Sequence, residues 1–185
     1  MAALLGRALA GRRAGEATLV WHDAGLSAPV TFDVRSDGFA HGGPILARYA
    51  AVGQNLSPPL AWSGVPAGAA ELVLVVEDRD VPLRRPIVHA VATGIPPRAH
   101  GLAEGDLNAG RPFGSRAGSF RRVGYSGPRP IPGHGAHTYA FQLFALDAPL
   151  TAERRLAVPG RPTEVVAMMR GHVLARGRID GTYVR

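Results

Sequence analysis

The sequence predicts a single, mainly β domain, and three features predict it. Its 24 glycines and 16 prolines divide 185 residues into short aliphatic runs joined by turns. Three of those runs are rich in β-branched and aromatic residues, and a hydrophobic content of 46% suffices for one core. Helical spacing is confined to two stretches, one near each end.

At the amino end, Leu4, Leu5, Ala8 and Leu9 recur at helical spacing until Gly11 ends the pattern. Residues 1–24 therefore read as a short helix or arm, and 25–185 as the domain proper. Arg7 interrupts the apolar stretch and no charged segment precedes it, which is a poor secretion signal. No run reaches the roughly 18 apolar residues of a membrane span, so a cytoplasmic location is expected. Val30–Val34 and Leu60–Trp62 read as short strands on either side of the Asn55–Pro59 turn cluster. Glu71–Glu77 is a near-continuous apolar run that suits a strand buried on both faces. Ile87–Thr93 and Thr138–Leu146 are further interior strands. Residues 94–137 are rich in Gly, Pro and Arg, and connections of that length commonly carry function. From Thr163 to Arg176 the spacing is helical again, with Val165, Val166, Met169 and Val173 on one face, Thr163 as N-cap and Gly177 at the end.

All 21 basic residues are arginine, and with 14 acidic residues the net charge is +7. The arginines are dispersed, with only a modest cluster at Arg111, Arg116, Arg121 and Arg122, so nucleic acid is not an expected partner. The absence of cysteine excludes disulfides, thiolate chemistry and sulfur-liganded zinc. With no lysine there is no phosphate-binding P-loop, Ser126 lacks the Gly-x-Ser-x-Gly setting of a nucleophile elbow, and no His-Glu-x-x-His pair exists. No metal and no cofactor are expected.

Three constellations carry candidate chemistry. Asp78 and Asp80 emerge where the buried strand stops, in a turn fixed by Pro82, and can orient a histidine or hold a cation. His89 lies inside an apolar strand, where its nitrogens need partners. Gly124–Gly133 is a stiff loop rich in glycine and proline that can bring backbone N–H groups close to an anion, and His137 and Tyr139 follow it on one strand face. Each also has a purely structural reading: a solvated turn, a satisfied core histidine, a rigid connection.

The order of these stretches resembles the phosphatidylethanolamine-binding protein family, most closely its bacterial kinase-inhibitor-like branch. The matching segments are Asn55–Pro66 (NLSPPLAWSGVP), Val76–Pro82 (VEDRDVP), His89–Pro96 (HAVATGIP), Gly124–Tyr139 (GYSGPRPIPGHGAHTY), Phe144–Asp147 (FALD) and Gly171–Tyr183 (GHVLARGRIDGTY). The resemblance implies two packed β-sheets with peripheral helices, including a C-terminal one. It also implies a surface pocket for phosphate, a phospholipid headgroup or a similar anion. The pocket residues it implies are Asp78, Asp80, His89, Gly127, Pro128, His137 and Tyr139, with Tyr183 as a further wall. The imidazoles and backbone N–H groups near Gly127 would donate to phosphate oxygens. It further implies binding without turnover, a regulatory role towards a kinase or protease partner, and a homodimer. A hydrolase using His and Asp as general acid and base is the alternative.

Several positions depart from the family pattern. Arg79 replaces a proline and either strengthens anion binding or points to solvent. Ala90 and Gly94 replace larger residues and imply a wider pocket, and Arg129 narrows its entrance. Thr138 stands where the family has arginine, which leaves a carboxylate without its usual cation.

Overall fold

The computed structural model describes residues 2–111, 113, 118–119, 122–150 and 161–185. Its frame is a five-stranded sheet built on the three long apolar runs. These are β4 (Glu71–Asp78), β5 (Ile87–Ile95) and β7 (His137–Leu146), joined by β1 (Val30–Thr31) and β8 (Val173–Tyr183) in the order β1-β8-β7-β4-β5. A smaller sheet of β2 (Asp33–Arg35), β3 (Leu60–Ser63) and β6 (Gly101–Leu102) has the order β2-β3-β6. Pairing is antiparallel throughout except for β1 on β8.

Every residue of β4 is buried, because both faces of the large sheet are covered. Leu72, Leu74 and Val76 face a core shared with the small sheet, together with Phe141, Leu143, Leu60 and Trp62. Val73 and Val75 face a second core with Phe144, Leu146 and Leu26, closed by Val165, Val166 and Met169 of helix α2 (Pro162–Met169). The strand's period of two thus assigns each side chain to one core or the other.

The run at Val30–Val34 is two strands in different sheets, and Phe32 between them turns into the first core. The crossing brings Phe32 against β8, where a Cβ on Gly177 would lie 2.5 Å from the Phe32 carbonyl oxygen. Gly177, expected to end a helix, is therefore the close-approach point of two strands. The expected helix over 163–176 is α2 alone; Gly171 at φ +80° turns the chain, and Val173–Arg176 pair with β7. Pairing with an already buried strand outweighs the weak helical spacing of that segment.

Helix α1 (Ala2–Leu9) forms where the spacing predicts it, but it does not bury its leucines: Leu4 is 69% exposed and Leu5 is 55% exposed. It docks through Gly6, whose missing side chain lets the helix backbone sit on Pro132–His134; a Cβ there would be 2.0 Å from the Pro132 carbonyl oxygen. Residues further along are built into the body of the protein, since Leu19 is buried and the Val20 amide bonds Glu77. Among the described residues no helix is long and apolar enough to cross a membrane.

Candidate functional site

Asp78 is the last residue of β4 and shares the face of Leu72, Leu74 and Val76. Its register partner on β7 is Tyr139, and His137 lies two residues away on the same face. One Asp78 carboxylate oxygen accepts from the Asp80 amide at 2.9 Å, and the other meets His137 Nδ1 at 2.7 Å. All three side chains are buried.

His89 reaches the same place because of an irregularity in β5. Val76 pairs with Ala90 and Glu77 with Val88, which leaves His89 as the extra residue of a β-bulge. A bulge re-aims a side chain that simple alternation would send to the opposite face. The His89 ring stands edge-on to Tyr139 with centroids 5.1 Å apart. Its Nδ1 lies 2.5 Å from the Ser126 carbonyl oxygen, so that nitrogen carries the proton. Burial pushes the pKa of His89 down, which keeps the ring neutral and leaves Nε2 as an acceptor.

Over these groups opens a cleft of about 260 Å³. Asp78, His89 and His137 form its floor, Val81 and Ile131 are among its apolar walls, and the exposed Arg122 and Arg129 stand at the rim. Two buried polar atoms lack partners: Nε2 of His89 at the floor, and the hydroxyl of Tyr139, whose ring adjoins His89 behind the lining residues. Asp78 and the Arg129 amide lie near that hydroxyl but not at hydrogen-bonding geometry. Burial, with Asp78 adding to it, raises its pKa far above the ordinary phenol value.

His134 extends the floor inward. Its Nδ1 is 2.8 Å from His137 Nε2, and its own Nε2 meets the carbonyl oxygens of Leu9 at 2.9 Å and Arg12 at 3.2 Å. A relay thus runs from the Asp78 carboxylate through two imidazoles to the backbone of the N-terminal arm. Both nitrogens of His137 are used within it.

Of the seven expected pocket residues, Asp78, His89, Gly127 and His137 line the cleft, whereas Asp80, Pro128 and Tyr139 do not. Asp80 turns away and accepts from the Thr138 amide at 2.7 Å while pairing with Arg13 at 2.7 Å. Burial pushes its pKa up, but hydrogen bonds from Arg13 and Thr138 outweigh burial and hold it below the usual value. Arg13 therefore supplies the cation that Thr138 does not, and it also donates to the Ala136 carbonyl oxygen at 3.1 Å. Pro128 accepts from the Ala51 amide at 3.0 Å.

Gly127 contributes shape rather than a donor. Its N–H is taken by the Asn55 side-chain oxygen at 2.8 Å, and a Cβ would lie 2.2 Å from the Tyr49 carbonyl oxygen. Asn55, at φ 56°, also donates to the Tyr125 carbonyl oxygen at 3.3 Å and so holds the loop from outside. Arg79 pairs with Glu16 rather than facing a ligand. Ala90 is enclosed in the first core, and Gly94 sits at φ +74° far along β5, so neither widens the cleft. Tyr183 packs against the first core opposite His137 and is not a cleft wall.

Sequence reasoning missed Arg13, Asn55, Arg122 and His134. His134 had a detectable signal, a second histidine three residues before His137, but its partners come from the far end of the chain. Among the described residues, no group of three or more His, Asp or Glu side chains is placed to hold a metal ion.

The profile of the phosphatidylethanolamine-binding protein family matches residues 35–184. A Methanothermobacter thermautotrophicus protein designated UPF0098 is 40% identical over 157 residues, covering 83% of this chain and 99% of its own length. A Mycobacterium tuberculosis protein whose name describes it as a lipoprotein, LppC, is 42% identical over 130 residues, or 69% of this chain and 63% of its own. Among solved structures, a phosphatidylethanolamine-binding protein homolog from Chlamydia trachomatis shares 31% identity at a TM-score of 0.72, covering 84% of this chain and 98% of that one. The Escherichia coli protein YbcL, at 24% identity, has the same fold, with a TM-score of 0.72 over 84% of this chain and 99% of that one.

Proposed function

This chain belongs to the phosphatidylethanolamine-binding protein family. From that premise we propose that its cleft binds a small ligand through a protonated anionic group, such as hydrogen phosphate or a phosphate monoester like that of phosphoethanolamine, without transforming it. The observation that carries the reading is the pair of unpartnered buried atoms on the adjoining His89 and Tyr139 rings. The Tyr139 hydroxyl is a donor and the neutral His89 Nε2 an acceptor. A ligand group offering one oxygen and one hydroxyl satisfies both at once, as a P=O and P–OH pair does. His89 thus accepts from the ligand, whereas the sequence suggested that it donates. Arg122 and Arg129 at the rim supply the positive field.

Binding is favoured over hydrolysis because neither serine lining the cleft is paired with a histidine, Ser119 accepting from the Val88 amide and Ser126 from Arg122. Both nitrogens of His137 are engaged, and the free Nε2 of His89 has its basicity lowered by burial. The reading places the protein in the cytoplasm; fractionation of cells producing it tests this against the lipoprotein name of the mycobacterial relative.

The test is Tyr139→Phe, measured by calorimetry with inorganic phosphate and with phosphoethanolamine. The substitution removes only a hydroxyl with no internal partner, so the melting temperature stays the same or rises. Affinity for both ligands falls by about tenfold, the loss of one buried hydrogen bond. Unchanged affinity for both would refute the assignment, and turnover of an ester or phosphoester substrate would replace binding with catalysis.

A further inference from the structure

The relay Asp78–His137–His134 contains more acceptors than two neutral imidazoles can satisfy. Three links must each hold a proton: Asp78 to His137, His137 to His134, and His134 to the carbonyls of Leu9 and Arg12. A carboxylate and carbonyls can only accept at the two ends, and each neutral imidazole brings one N–H. With two protons, one link becomes a contact between two lone pairs, whichever tautomers are chosen. With three, every link is made and one imidazolium balances the Asp78 carboxylate.

We propose that these three side chains form a binding site for one exchangeable proton, and that its occupancy decides whether the N-terminal arm, residues 2–15, stays docked. The reason lies in where a broken link can be accommodated. Asp78 and His137 are fixed in register on adjacent strands, and His134 follows in the loop leading to β7. The arm is the one partner that can leave without breaking the sheet. Its other attachments are few: Gly6 on Pro132–His134, Arg13 on Asp80 and Ala136, and the Ala14 and Gly15 amides on the carbonyls of Val81 and Arg79. These attachments join the two segments that wall the cleft, the acidic turn and the loop before β7, so release of the arm frees both.

The sign follows from proton counting. The docked state holds one proton more than the released state, so docking weakens as pH rises. The charged and titratable groups around the relay are His89 on β5, Tyr139 on β7, Tyr183 opposite His137 on β8, Arg79 and Asp80 in the turn, Arg129 in the loop, Arg185 beside Gly133, and Arg12 and Arg13 on the arm. Asp80 acts in the opposite sense. Its pairing with Arg13 is lost only on strong acidification, because its pKa is held low. Alkali and strong acid therefore weaken docking by different routes, loss of the relay proton and protonation of Asp80.

The test is hydrogen exchange of the Ala14 and Gly15 amides in the whole protein, corrected for the intrinsic pH dependence of exchange, between about pH 5 and pH 8. Protection falls by up to about tenfold per pH unit on the alkaline limb, the limit for one proton. His134→Gln, which cannot hold the extra proton, flattens that limb. His22→Gln, which removes the nearby pair with Glu16, leaves it unchanged. Should His134→Gln fail to fold, nitrogen-15 spectra of the wild-type histidines decide: the two rings together carry three N–H protons in the docked state. A flat wild-type profile, an unchanged slope in His134→Gln, or two neutral rings throughout overturns the proposal. None of these readouts requires a ligand, so they stand apart from the test of the cleft.

Discussion

Glu77 and Asp78 are adjacent residues at the end of one strand, both 3% exposed, and they face opposite cores. Glu77 accepts from the Val20 amide and from Gln142 Nε2, each at 2.9 Å, and Gln142 in turn accepts from the Trp21 amide at 2.9 Å. None of these partners titrates. Asp78 instead ends a chain of histidines at the floor of a cleft. Burial is the same in the two cases, and what separates the two carboxylates is that Asp78 has a partner able to exchange a proton.

Breaking the structural half has the largest expected effect. Glu77→Ala leaves the Gln142 amide and the Val20 N–H unsatisfied and costs about 2–4 kcal/mol in urea unfolding, with phosphate affinity unchanged in the folded protein. Breaking the other half costs less. Asp78→Asn keeps the shape and an acceptor for His137, lowers stability by about 1–2 kcal/mol, and alters the pH profile of arm protection, which Glu77→Ala does not.

A pH series sharpens the contrast. Burial raises the pKa of Glu77, so its contribution to stability is complete below the unfolded carboxylate pKa and is lost as pH rises through the higher folded value. Relative to Glu77→Gln, the wild type therefore loses stability as pH rises through that window, which unfolding midpoints at successive pH values will read. Asp80, held low, has the opposite dependence: its stabilisation is present above the unfolded carboxylate pKa and is lost as pH falls through the folded one. The smallest effect is Arg13→Ala. Arg13 is 37% exposed, so the loss is about 0.5–1 kcal/mol, seen as faster exchange of the arm amides with little change in global unfolding.

Much of the fold was legible because strand periodicity is local. The runs at Glu71, Ile87 and Thr138 became β4, β5 and β7 almost residue for residue, although the second, expected in the interior, is the edge strand of its sheet. The helix expected over 163–176 failed where a long-range contact outweighed a weak local pattern, since Val173–Arg176 joined β7 as strand; Leu4 and Leu5 of α1 stay exposed because Gly6 makes that helix's contact. Four of the seven expected site residues line the cleft, and some differ from their expected roles. Gly127 was chosen for its backbone and proved to matter for close packing, while Asp80 was placed in the pocket and instead anchors Arg13.

The sequence alone determined residue chemistry and strand phase. It placed Asp78 at the end of one strand and His137 and Tyr139 on one face of another, and excluded thiol, P-loop and sulfur-liganded metal chemistry, because side-chain type and a period of two need no knowledge of partners. Only the tertiary structure decided the rest. It showed that a bulge turns His89 into the floor, that Asn55 takes the Gly127 N–H, and that His134 reaches Leu9 across 125 residues of chain. A hydrogen bond depends on positions in space, and residues so far apart in sequence leave no local periodicity from which their meeting could be read.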